Sequence, residues 1–254
     1  MTVLNTAPWM VRRATQPGRM RLYCFAYAGG SAAVYAGWQN LLGPDIEVCA
    51  IQLPGRGGRI AEAPRRALQP LVDELALAVA NQPARPFALF GHSLGALMAF
   101  EVAQALRLRR LPLPSHLFVS GCRAPSLGRE AKGLHLLPNR EFIEALRGYN
   151  GTPAEVLGNA ELMALVMPML RADFALVDDF RYQRRPALPV ALTVLAGRDD
   201  QAATLDGIEN WALEADDFRG VQWFDGGHFF LHNAGAAIAI ADSIARALAV
   251  QRAA

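Results

Sequence analysis

The motif Gly91-His92-Ser93-Leu94-Gly95 constrains the fold of this chain more than any other stretch. An apolar run that starts at Phe87 leads into it, and a helix-forming run begins at Ala96. This pattern predicts a strand, a tight turn and a helix, with the serine at the apex of the turn. Small residues on both sides of the serine let the strand and the helix approach closely, and the turn strains the serine backbone. Ser93 is therefore the candidate nucleophile, placed at the positive end of a helix dipole.

Apolar runs and helix-forming runs alternate along most of the chain. We predict strands at residues 20–27, 46–53, 87–90, 115–121, 189–196 and 220–225. We predict helices at residues 32–42, 68–81, 96–109, 206–215 and 234–249. Residues before about 19 have the composition of an irregular lead-in. The alternation is typical of an α/β protein with a mostly parallel central sheet that helices cover on both faces.

The alternation stops between about residues 124 and 185, where we predict helices around 140–147 and 160–180 but no strand. A helical insertion late in a parallel sheet is placed to form a lid over the carboxyl ends of the strands. Pro168 is expected to kink or restart the second of these helices. The chain of 254 residues has no internal repeat or low-complexity linker, so we expect residues 1–254 to form a single domain with this lid insertion.

A serine nucleophile needs a base, and the sequence offers five histidines. His228 follows the last predicted strand across Asp225-Gly226-Gly227, on a loop at the carboxyl end of that strand. We therefore predict that His228 is the base. His232 is the competitor, although it falls inside an ordered segment, and His92 is interpreted as structural because it points sideways from the turn.

The acid that orients the base is expected after an intervening strand. The strand 189–196 ends in Gly197-Arg198-Asp199-Asp200, and either aspartate could serve. We predict Asp200, because the first residues after the strand must turn the chain before a side chain reaches the histidine. Asp199 is the alternative acid. If it does not serve as the acid, we interpret it as a loop-capping or surface carboxylate.

An oxyanion hole needs two backbone N–H groups aimed at one point. Leu94, directly after the serine, is one predicted donor. Ala28, after the first strand of the core, is the other, and Gly29-Gly30 lets a substrate approach the backbone there. These glycines also suit a simple strand-to-helix turn, and both interpretations can hold together.

Charge and cysteine usage exclude some classes of function. The net charge of +2 does not favour nucleic acid as a partner, and no stretch is apolar enough to span a membrane. The three cysteines do not have the spacing of metal ligands, which indicates buried free thiols. The first 20 residues lack the apolar core of a signal peptide. We therefore expect a cytoplasmic protein that binds no metal.

Several arginines are candidates for docking an acidic partner. Arg107, Arg109 and Arg110 cluster near the end of the helix behind Ser93, and Arg56 and Arg59 lie in a loop. Positive side chains at a helix C-terminus also complement the helix dipole without any partner. Both interpretations of the arginines stay open at this point.

Five motifs together resemble the type II thioesterases, the free-standing α/β-hydrolases that accompany nonribosomal peptide and polyketide synthases. The resemblance covers nearly the whole chain. The motifs are Phe25-Ala26-Tyr27-Ala28-Gly29-Gly30-Ser31-Ala32, Gln52-Leu53-Pro54-Gly55-Arg56, Gly91-His92-Ser93-Leu94-Gly95, Leu170-Arg171-Ala172-Asp173-Phe174 and Gly226-Gly227-His228-Phe229-Phe230-Leu231. The family commonly has proline where this chain has Ala26, and an acidic residue where it has Gly57-Gly58.

The resemblance implies an α/β-hydrolase fold and hydrolysis of acyl thioesters on the phosphopantetheine arm of carrier domains, which removes stalled or wrongly primed groups from a synthase. It implies a Ser-His-Asp acyl-enzyme mechanism, carrier domains as partners and no cofactor of the enzyme itself. We expect a monomer. The alternatives are a general carboxylesterase or lipase, an acyl-transferring or cyclising thioesterase, and a non-catalytic carrier-binding protein. The esterase's usual His-Gly-Gly oxyanion signature does not match Ala28-Gly29-Gly30.

Overall fold

The computed structural model describes residues 9–12, 17–128, 131–149, 151–201 and 204–250. The strands are β1 (Met10–Arg12), β2 (Met20–Phe25), β3 (Ile46–Ile51), β4 (Phe87–His92), β5 (His116–Ser120), β6 (Leu188–Gly197) and β7 (Ala215–Phe224). The α-helices are α1 (Trp38–Leu42), α2 (Leu68–Ala80), α3 (Leu94–Leu108), α4 (Asn139–Tyr149), α5 (Ala154–Leu157), α6 (Ala160–Asp178), α7 (Leu205–Glu209) and α8 (Ala234–Val250). Short 3₁₀ segments connect several of them.

The strands form one seven-stranded sheet in the order β1-β3-β2-β4-β5-β6-β7. Every neighbouring pair is parallel except β1 and β3, which run antiparallel. This arrangement confirms the predicted mostly parallel α/β sheet. The prediction of an irregular lead-in is wrong for Met10–Arg12, which pairs with β3 at the sheet edge. Three residues are too few to show a strand period in the sequence, and pairing with β3 decides their conformation.

Both faces of the sheet are covered, as β4 shows most clearly. Its residues alternate between two hydrophobic clusters, because successive side chains of a strand point to opposite faces. Phe87 and Leu89 pack into the cluster that includes α2 and α3. Ala88 and Phe90 pack into the cluster that includes α1 and α8. The strand that carries the serine turn is therefore buried on both sides.

Two predicted helices are shorter than expected. The segment 32–42 divides into a 3₁₀ turn, Ala32–Tyr35, and the short helix α1. The segment 206–215 ends early, because a 3₁₀ turn that buries Trp211 closes it and β7 already begins at Ala215. The charged residues at the start of β7 hide this strand in the sequence, and its pairing with β6 overrides their local preference.

Among the described residues between β5 and β6 there are helical segments and no strand, as predicted. Helices α4, α5 and α6 share a separate hydrophobic cluster, formed by Phe142, Leu146, Leu157, Met163, Met169 and Leu170. Helix α6 continues through Pro168 and does not restart there. In the described part of the chain, no helix has the length and hydropathy needed to cross a bilayer.

Candidate active site

Ser93 lies at the apex of the turn between β4 and α3. Its φ is +56° and its ψ is −118°, a conformation that non-glycine residues rarely adopt. The Ser93 N–H donates to the Ser120 carbonyl at 2.8 Å, which ties the turn to β5. A Cβ atom on Gly91 would lie 2.1 Å from the Gly95 carbonyl oxygen, and one on Gly95 would lie 2.0 Å from the Phe25 carbonyl oxygen. Only glycine fits at these two positions, so the neighbouring backbone holds the serine in place.

Asp200 and His228 lie on the loops that follow β6 and β7. The Asp200 Oδ2 atom is 2.8 Å from the His228 Nδ1 atom. The Asp200 side chain is 1% exposed and that of His228 is 20% exposed. Asp199 is exposed, and its backbone N–H donates to the Gly226 carbonyl at 3.0 Å. Of the two candidate aspartates, Asp200 is therefore the one bonded to the histidine.

The His228 loop folds back to the serine turn. The ring of His228 lies 5.1 Å, centroid to centroid, from the ring of His92, the residue directly before Ser93. The structure thus brings the predicted nucleophile, base and acid to one edge of the sheet, at the carboxyl ends of β4, β6 and β7. Parallel strands commonly present functional groups at this edge.

His92 and His232 occupy different settings. His92 is fully buried, and its Nδ1 atom is 2.9 Å from Ser120 Oγ. Burial, and then the neighbouring His228, hold the pKa of His92 well below its ordinary value, so its ring is neutral. His232 is exposed and contacts the Tyr27 hydroxyl through Nε2 at 2.8 Å. Among the described residues, neither histidine is hydrogen-bonded to a carboxylate as His228 is.

The two predicted oxyanion donors lie at the start of α3 and in the loop after β2. Leu94 is the first residue of α3, so its N–H is one of the amides that helix geometry leaves without an intrahelical acceptor. Ala28 belongs to residues 27–30, which we name the oxyanion loop. A hydrogen bond of 2.8 Å from the Gly30 N–H to the Tyr27 carbonyl closes this loop. In the loop, Gly29 adopts a φ of +81°.

An ion pair beside the oxyanion loop was not assigned a role from the sequence. Asp173 on α6 pairs with Arg56 in the loop after β3, and both side chains are buried. The interpretation of Arg56 and Arg59 as docking residues is wrong, because Arg59 is also buried and pairs with Glu62. A carboxylate between Leu170 and Leu176, in the mostly apolar second half of α6, is the signal that could have indicated Asp173, since buried charges are almost always paired.

Two arginines at the end of α3 also have partners within the chain. Arg107 donates to the carbonyl oxygens of Pro186 and Ala187 at 2.9 and 3.0 Å. Arg109 pairs with Asp73 of α2 at 2.8 Å. Both contacts give these side chains a role inside the fold without a docked partner.

A cleft of about 540 Å³ opens between the His228 loop and the helical segment after β5. Its lining includes Tyr27, Phe229 and His232 on one side and Arg147, Thr152 and Leu157 on the other. The Phe229 ring lies 4.9 Å from the rings of both Tyr27 and His228. The cleft therefore begins next to the candidate base and is bounded mainly by aromatic and aliphatic surface.

A mostly parallel sheet with a strained serine turn after β4, and with an acid and a histidine after β6 and β7, defines an α/β-hydrolase. The helical insertion between β5 and β6 agrees with this class.

Within that class, the chain belongs to the thioesterase family, because residues 20–248 match the family model for the thioesterase domain. It is 39% identical over 225 residues to the gramicidin S biosynthesis protein GrsT of Aneurinibacillus migulanus, covering 88% of each chain. It is 34% identical to the thioesterase PikA5 of Streptomyces venezuelae, covering 91% of this chain and 82% of PikA5. The type II thioesterase BorB from the borrelidin biosynthetic cluster superimposes with a TM-score of 0.85 at 34% identity, covering 94% of this chain and 97% of BorB.

Proposed function

We propose that the protein hydrolyses acyl thioesters carried on the phosphopantetheine arm of synthase carrier domains, and so clears stalled or wrongly primed groups. The observation that carries this proposal is the buried Asp200–His228 pair at 2.8 Å, held beside the strained turn of Ser93. The names of the relatives support the substrate class, since GrsT is named for gramicidin S biosynthesis and BorB for a type II thioesterase of a biosynthetic cluster.

In the first step, the Ser93 hydroxyl attacks the thioester carbonyl carbon while His228 takes its proton. Asp200 accepts a hydrogen bond from the Nδ1–H of His228, which leaves Nε2 free to act as the base and stabilises the imidazolium that forms. The backbone N–H groups of Leu94 and Ala28 donate to the tetrahedral oxyanion. Collapse of this intermediate breaks the carbon–sulfur bond, and the thiol leaves with a proton from His228.

In the second step, water attacks the acyl group on Ser93. His228 takes a proton from this water, the same two N–H groups stabilise the second oxyanion, and the free acid leaves as His228 returns the proton to Ser93. All of these groups belong to one chain, so we propose that the enzyme needs no dissociable cofactor. We also propose that it acts as a free-standing cytoplasmic monomer. The cargo arrives already attached to the arm of the carrier domain.

The substitution Ser93→Ala tests the covalent mechanism. Thiol release from an acyl-loaded carrier protein should fall to the background rate, because the variant lacks the hydroxyl that forms the acyl-enzyme. Circular dichroism and the thermal midpoint should match the wild type, since the lost hydroxyl does not pack in the core. Turnover by this variant above one tenth of the wild-type rate would reject the mechanism.

A comparison of substrates tests the cargo class. We expect kcat/KM to be higher for an acyl group on a phosphopantetheinylated carrier protein than for the same acyl group as a p-nitrophenyl ester. Equal or greater activity on the ester would instead identify a general esterase.

A further inference from the structure

A buried ion pair contacts the oxyanion loop from two directions. Asp173 on α6 is 1% exposed and Arg56 is 5% exposed. The Arg56 Nη1 and Nη2 atoms lie 2.7 and 2.6 Å from Asp173 Oδ2 and Oδ1, respectively. Two parallel hydrogen bonds of this kind fix the relative orientation of a guanidinium and a carboxylate.

Both members of the pair also bind the backbone of the oxyanion loop. The Gly29 N–H donates to Asp173 Oδ2 at 2.7 Å. The Arg56 Nη1 group donates to the Gly30 carbonyl oxygen at 3.0 Å. The pair therefore holds one donor and one acceptor of the segment that carries Ala28.

These contacts determine where the Ala28 N–H points. In a planar trans peptide, the Ala28 N–H and the Tyr27 carbonyl point in opposite directions. The Tyr27 carbonyl accepts from the Gly30 N–H at 2.8 Å, so the Ala28 N–H is turned out of the loop. The next peptide unit is held through the Gly29 N–H by Asp173. Both peptide planes that flank Ala28 are thus fixed, one of them directly by the ion pair.

Packing adds to this restraint. A Cβ atom on Gly29 would lie only 2.7 Å from the Leu170 Cδ2 atom, so α6 packs directly on the backbone of the oxyanion loop. Leu170 and Asp173 are three residues apart, and residues at this spacing lie on the same side of a helix. One side of α6 therefore contacts the loop with both an apolar and a charged group.

We propose that Arg56 and Asp173 are positioning residues that orient the Ala28 N–H toward the oxyanion. The proposal rests on the proposed function in one respect, namely that Ala28 is an oxyanion donor. If the pair only stabilised the fold, substituting it would change the affinity for every ligand equally. A positioning pair affects the tetrahedral state selectively, because only that state needs an aligned donor.

The test compares Asp173→Asn with a control that breaks another buried ion pair. Glu101 on α3 is 4% exposed and pairs with Arg185, and neither residue contacts the oxyanion loop in a described hydrogen bond. Glu101→Gln is therefore the matched control. Each variant is assayed for kcat and KM on an acyl pantetheine thioester. Each is also titrated with an alkyl boronic acid, which forms a tetrahedral adduct on serine, and with an alkyl pantetheine thioether, which forms none.

For Asp173→Asn we expect kcat and boronate affinity to fall by about 10²-fold, the loss typical of one oxyanion donor, with thioether affinity within about twofold of wild type. Glu101→Gln should leave all three within about threefold after correction for the folded fraction. Equal losses of boronate and thioether affinity in Asp173→Asn, or kcat losses equal to those of the control, would overturn the proposal.

If Asp173→Asn does not fold, Arg56→Lys carries the test. It keeps the buried positive charge but removes the two-point contact, and we expect about a tenfold loss of boronate affinity with unchanged thioether affinity. An unchanged boronate affinity would refute the positioning role. Boronate binding does not depend on thioester turnover. A wild type that hydrolyses no thioester would therefore refute the proposed function, while the boronate titration would still decide the role of the pair.

Discussion

The substitution Asp200→Asn removes a negative charge that lies 2.8 Å from the His228 ring. The effect is large because the carboxylate is 1% exposed and little screened by water. With an effective dielectric constant of about 20, Coulomb attraction at this distance is roughly 6 kcal/mol. The asparagine amide can also donate to Nδ1, which favours the tautomer whose Nε2 carries the proton and cannot accept one from Ser93.

We therefore expect kcat to fall by about 10⁴-fold, equivalent to about 5.5 kcal/mol on the barrier. KM should change little, because the carboxylate interacts with the base and not with the substrate. The assay follows thiol release from an acyl pantetheine thioester. Thermal unfolding gives the amount of folded protein in each sample.

The matched control is Asp199→Asn, one residue earlier on the same loop and exposed. It makes the same chemical change, and kcat should stay within about twofold of wild type because surface charges interact weakly. A loss below tenfold for Asp200→Asn, or equal losses for the two variants, would refute the assignment of Asp200 as the acid.

Two further predictions concern stability. Gly95→Ala should lower the free energy of unfolding by about 3 kcal/mol, because its Cβ would lie 2.0 Å from the Phe25 carbonyl oxygen. Urea unfolding measures this, and the control is Gly235→Ala in α8, where the new Cβ meets open space and stability should rise by up to about 1 kcal/mol. The pKa of His116 is lowered to about 4, first by burial and then by Arg219, so the unfolded chain binds this proton below about pH 6.5 and the folded protein does not. Stability should therefore fall between pH 6.5 and 4 by up to roughly 3 kcal/mol, and a His116→Gln variant that kept the same slope would contradict this reasoning.

Local patterns in the sequence were sufficient for much of the fold. The serine turn, the strands on either side of it and the loops that carry Asp200 and His228 depend on residues close together in the chain. The spacing of apolar residues along strands and helices indicates such features directly. Six of the seven strands and the helical insertion follow from the alternation of these elements.

Features that depend on distant residues could not be predicted in this way. Arg56 and Asp173 are 117 residues apart, and neither the loop of one nor the helix of the other indicates its partner. Strand β1 is formed by pairing and not by its own period. The start of β7 was also missed, because its charged residues resemble a helix in the sequence. Its strand conformation depends on pairing with β6, where Leu188 lies opposite Ala215.

The separate hydrophobic cluster of α4, α5 and α6 has a consequence for how such enzymes diversify. Phe142, Leu146 and Leu157 belong to this cluster and to neither of the clusters on the sheet. Side chains of this cluster can change size without creating cavities in the sheet core next to Ser93. Leu157 also lines the cleft beside His228, so a change in its size alters the volume of the cleft while the contact between Asp200 and His228 stays the same. Conservative hydrophobic substitutions at Leu157 should therefore alter chain-length preference at a cost of less than about 1.5 kcal/mol in stability.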